Sequence, residues 1–75
     1  MRGYRCHKIV QAGKIREIGR ETLLIEGEES LRWVGIGWMQ KHEPVIGGYL
    51  VIYEDGYASF SPAEAFEKGY TLIEE

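Results

Sequence analysis

Side chains able to act as nucleophiles, bases or metal ligands are few in this sequence, and they are scattered. Cys6 and His7 are adjacent, but neighbours on a strand point to opposite faces and cannot work as a nucleophile and its base. His42 could approach Cys6 only through the fold, and no spacing requires it. His7 and His42 also lack the close ligand spacing of a zinc centre. The carboxylates Glu26, Glu28, Glu29, Glu54, Asp55, Glu64, Glu67, Glu74 and Glu75 fall at expected turns and termini, which reads as solvated surface. Gly47-Gly48 precedes neither a lysine nor a helix, so it is not a phosphate loop. The expectation is a protein that binds without catalysing, with no catalytic residue, no metal and no cofactor.

Binding chemistry is better represented. Tyr49, Tyr53 and Tyr57 share one face of a hairpin in one of its two registers. Their rings could stack there on a nucleobase, with the hydroxyls reaching ribose or phosphate. The alternative is that they pair across strands or fill a subunit interface. Trp38, between Gly37 and a polar turn, is the candidate exposed anchor, whereas Trp33, beside Val34 in a strand, is expected in the core. Lys14 and Arg16 share a face if their segment is a strand, and an oligomer could set that face against the tyrosines of a neighbour to hold an anion. Their other reading is as charges that keep an edge strand from mispairing. The candidate ligand-binding set is thus Tyr49, Tyr53, Tyr57, Trp38, Lys14 and Arg16.

The elements that must position these groups are mostly strands. Residues 4–18 alternate Ile9, Val10, Ile15 and Ile18 with polar residues and Gly13, predicting a strand bulged at Ala12-Gly13. Residues 21–26 form a second strand closed by a turn at Glu26-Gly27-Glu28-Glu29, and residues 30–37 a third. Residues 38–42 allow one helical turn, stopped because Pro44 disfavours helical geometry at Glu43. Residues 49–60 carry the strongest hairpin signal. A two-residue Asp-Gly turn is possible, but a type I turn on Tyr53-Glu54-Asp55-Gly56 with Gly56 left-handed separates the apolar residues more cleanly. It puts Leu50, Ile52, Ala58 and Phe60 on one face, and Tyr49, Val51, Tyr53, Tyr57 and Ser59 on the other. Ser61-Pro62-Ala63-Glu64 fits a capping box, with Ser61 as N-cap, and Gly69 fits the left-handed residue that ends the helix. Phe66 is expected to anchor that helix to the sheet, and residues 70–73 to return as an edge strand. The fold class is mainly β (α+β): a small antiparallel sheet or partly open barrel with one or two short helices, in a single domain over residues 1–75.

Seventy-five residues bury only about 60% of the unfolded surface. One cysteine allows no internal disulfide, and 44% hydrophobic residues with five tyrosines, two tryptophans and two phenylalanines exceed what so small a sphere easily hides. A homo-oligomer is therefore expected. The net charge of −3, with basic residues dispersed, argues against duplex nucleic acid. No apolar run reaches membrane-spanning length, the N-terminus lacks a signal-peptide core, and unpaired Cys6 suits a reducing compartment. These point to the cytoplasm.

The run from Gly48 through Tyr49, Leu50, Val51, Ile52, Tyr53, Glu54, Asp55, Gly56 and Tyr57, continuing with Ser59, Phe60, Ser61, Pro62, Phe66, Glu67 and Tyr70, resembles the C-terminal signature of a family of small, mostly uncharacterised bacteriophage proteins. Lys8-Ile9-Val10-Gln11-Ala12 is similar to the opening of that family, while residues 19–37 match nothing in it. The resemblance implies a phage origin and a host-cytoplasmic location, and it carries no catalytic residues over. It also suggests a counter-defence role, as an oligomeric sponge for a small nucleotide immune signal. The alternatives are an inhibitor docking on a host defence enzyme, or a virion accessory protein.

Overall fold

The structure, a computed structural model, describes residues 1–5, 9–69 and 71–72, with the backbone alone for residues 5, 71 and 72. The Cys6-His7 pair lies outside the described residues. The elements run β1 (Arg2–Arg5), β2 (Ile9–Ile18), β3 (Thr22–Ile25), β4 (Arg32–Trp33), α1 (Ile36–His42), β5 (Tyr49–Ile52), β6 (Ala58–Ser61), α2 (Ala63–Gly69) and β7 (Thr71–Leu72). The strands form one curled antiparallel sheet, a half-barrel, so the mainly β expectation holds.

β2 is the long strand on which the sheet is built. It pairs with β1 through residues 9–12, with β5 through residues 11–14 and with β3 through residues 15–18. The segment expected to be one strand from Tyr4 onward is thus two, with Arg5 opposite Ile9. The expected bulge at Ala12-Gly13 is absent there, since both residues pair regularly with Val51 and Leu50. The irregularity lies between Ile15 and Glu17. Gly13 serves a close approach instead, because a Cβ at that position would collide with Ile25 Cγ2.

Both faces of the sheet are buried in its middle, which is why β5, with the sequence Tyr-Leu-Val-Ile, has little polar side to show. On one face Val10, Ala12, Tyr49, Val51 and Phe66 form a core covered by α2. On the other, Ile15, Leu23, Ile25 and Leu50 form a second core, against which Trp38 and Met39 of α1 pack together with Phe60 and Ala58 of β6.

Three local readings change. The third strand shortens to Arg32–Trp33, because Gly35 turns the chain with φ 86° and α1 begins at once, two residues before the expected helical turn. α1 does stop just before Pro44, its C-cap Glu43 being left-handed at φ 46° with its N–H donating to the Met39 carbonyl. Ser61 is not an N-cap: it remains in β6 opposite Tyr49, and its Oγ donates to the Pro62 carbonyl at 3.4 Å. α2 therefore starts one residue later than the capping box implies. Its Phe66 N–H donates to the Pro62 carbonyl at 3.0 Å, Glu64 pairs with Lys68 at 2.9 Å, and Gly69 ends the helix without a positive φ.

Candidate functional site

The β5–β6 hairpin closes as the bulged turn. Gly56 N–H donates to the Tyr53 carbonyl and Tyr53 N–H to the Tyr57 carbonyl, both at 2.9 Å, with Gly56 at φ 89°. Asp55 Oδ1 accepts the Tyr57 N–H at 2.9 Å, an Asx turn that stiffens the tip. This register brings Tyr53 and Tyr57 side by side, ring centroids 6.1 Å apart and planes inclined by 23°. The two rings, with Ile9, Glu54 and Asp55, line an open cleft of about 440 Å³.

α1 backs this tip. Trp38 Nε1–H donates to the Ala58 carbonyl at 3.1 Å, and His42 lies against Trp38 at 4.7 Å with the planes tilted by 38° while meeting Tyr57 edge-on at 6.4 Å. Lys41 Nζ donates to the Tyr57 hydroxyl at 3.2 Å and lies 5.5 Å from the ring centroid. Burial, reinforced by the Lys41 charge, holds the His42 imidazole below its usual value. Lys41 and His42 sit in the last turn of α1, where cations favour the negative end of the helix dipole. That spacing was the available sequence signal for them, yet it says nothing of a contact with Tyr57.

A second cleft, about 520 Å³, lies at the far end of the α2-covered face. Here Lys14 and Tyr49 are partners across β2 and β5, joined by Arg2, Tyr4, Glu26 and Glu28. Tyr49 is 8% exposed; its ring stacks on Phe66 at 4.2 Å and its hydroxyl donates to Glu67 at 2.9 Å. Burial first, then the Glu67 carboxylate, pushes its phenol up to about 12. Burial would raise Glu28, but the Arg32 hydrogen bond and charge outweigh it and hold this carboxyl below its ordinary value, with the Met1 ammonium at 3.5 Å contributing.

The six candidate residues therefore do not form one site. Tyr53 and Tyr57 wall the tip cleft, Tyr49 and Lys14 the second cleft, and exposed Arg16 lines neither. The two tryptophans exchange their expected roles. Trp38 is half-buried against the second core, and Trp33 is 70% exposed. The cause is pairing parity: Trp33 sits opposite Thr22, on the face away from Leu23 and Ile25, and among the described residues no helix covers that part of the sheet. No helix of the described residues is long and apolar enough to cross a membrane. The chain matches no protein-family model, no curated protein and no solved structure.

Proposed function

We propose that this chain is a phage-encoded counter-defence protein that binds and sequesters a small nucleotide signal as a homo-oligomer. The observation that carries the reading is the near-parallel Tyr53–Tyr57 pair beside an open cleft, with Tyr57 47% exposed. A base laid on these rings gains stacking worth about 1–3 kcal/mol. Glu54 and Asp55 on the cleft can accept N–H groups from a base edge. Lys41, against the Tyr57 hydroxyl, supplies positive charge for a phosphate. The resemblance of the C-terminal third supports the phage origin.

Native mass spectrometry of protein purified from defence-active cells tests this reading. The expected result is a defined oligomer carrying a nucleotide-sized mass, lost in Tyr57→Ala while the far-UV circular dichroism stays unchanged. A bare chain that instead retains a host protein would replace sequestration with direct inhibition.

A further inference from the structure

We infer that the cleft at the hairpin tip selects guanine among the nucleobases, holding its base-pairing edge on the Glu54 carboxylate. The inference rests on the nucleotide reading above and names the base. Among the described residues, Ile9, Tyr53, Glu54, Asp55 and Tyr57 line this cleft, so its only charges are two carboxylates. An ionised carboxylate accepts hydrogen bonds and donates none. A phosphate is therefore repelled from the cleft itself, and the edge that a stacked base turns toward the carboxylates must carry donors.

The two acids are not equivalent. Asp55 Oδ1 already accepts the Tyr57 N–H at 2.9 Å, which fixes that side chain in the turn. The exposed Glu54 carboxylate has no hydrogen bond or ion pair among the described residues, so both of its oxygens are free for a ligand. Guanine presents adjacent donors, the ring N–H and the exocyclic amino group, which together match the paired oxygens of one carboxylate. Adenine and cytosine set an amino donor beside a ring-nitrogen acceptor, and uracil flanks its N–H with carbonyls. Each of these turns a lone pair toward a carboxylate oxygen, and such a mismatch rejects the ligand.

Charge along Tyr57 decides how the rest of the nucleotide lies. Asp55, beside Glu54 in the same turn, stands at the backbone end of Tyr57, whereas Lys41 Nζ stands at the other end, 3.2 Å from the hydroxyl. A base stacked on the ring can span that length. In guanine the base-pairing edge and the glycosidic nitrogen lie on opposite sides of the fused rings. With the edge on Glu54, the sugar and phosphate leave toward the Lys41 ammonium and away from the carboxylates.

Isothermal titration of the full chain with GMP, AMP, CMP and UMP tests the assignment. GMP is expected to bind about tenfold or more tightly than each of the others. Glu54→Gln sets an acceptor beside a donor, the complement of adenine, and should shift the GMP-to-AMP affinity ratio toward AMP by about tenfold, with the far-UV spectrum unchanged. Lys41→Met should weaken GMP more than it weakens guanosine, and equal losses would overturn the orientation. AMP bound as tightly as GMP, or a GMP preference that survives Glu54→Gln, overturns the guanine assignment while the nucleotide reading stands. A chain that binds none of the four, or that takes the guanidinium of arginine amide on Tyr57 in their place, overturns both.

Discussion

Two aromatic clusters flank the hairpin, and they are built to opposite ends. Under α2, Tyr4, Tyr49 and Phe66 meet at 4.2–6.3 Å, and the Tyr49 hydroxyl is used up on Glu67. At the tip, Trp38, His42, Tyr57 and Tyr53 form a chain of rings in which Tyr57 is 47% exposed and Tyr53 is half-buried, one side packed on the first core. Both draw on tyrosines of one hairpin. The difference is what lies above each: α2 seals the first, whereas α1 supports the second from behind and leaves the cleft open. Aromatic area stabilises where it is covered and remains available to a ligand where it is not.

Substitutions should separate the two clusters. Phe66→Ala, which empties the centre of the sealed cluster, should cost about 3–5 kcal/mol in thermal or urea unfolding. Tyr49→Phe keeps the ring and removes the Glu67 bond, at about 1 kcal/mol. It also carries a pH signature. A phenol raised from 10 to about 12 on folding contributes stability that is full below pH 10 and is lost as pH rises toward 12. Wild type should therefore lose more stability over that window than Tyr49→Phe.

In the open cluster, Tyr57→Ala should cost no more than about 1 kcal/mol of stability while abolishing ligand retention. A large loss of folding would make the tip structural and erase the contrast. His42 gives the finer test. Its folded form favours the neutral ring, so protonation of the unfolded chain should erode stability as pH falls below 6.5. His42→Gln should flatten that slope, measured as melting temperature against pH. Smallest of all, Ser61→Ala should change the melting temperature little, since Ser61 caps nothing and its Oγ bond to Pro62 is 3.4 Å long. A loss near 1 kcal/mol would restore it as the N-cap.

Local signals were enough for much of this. An Asp-Gly tip with apolar alternation specifies both the turn and its register, because only Gly56 can take φ 89° at no cost and only one register sorts the apolar residues by face. Pro44 marks the end of α1 for an equally local reason. The capping box failed because Ser61 has a competing partner strand, and a sheet pairing with Tyr49 outweighs a single cap bond. The candidate site was legible as residue types and not as a place, since Lys14 and Tyr49 come together only through the β2–β5 pairing.

What the sequence by itself determined, then, is what depends on neighbours in the chain: β-rich character, the hairpin with its left-handed Gly56, and the stop at Pro44. What only the tertiary structure decided is which apolar side chains are covered. Trp33 and Trp38 are alike as residues, but one strand pairing turns Trp33 to an uncovered face and one helix presses Trp38 onto the second core. Burial is a property of what packs on top, and that comes from residues distant in the chain.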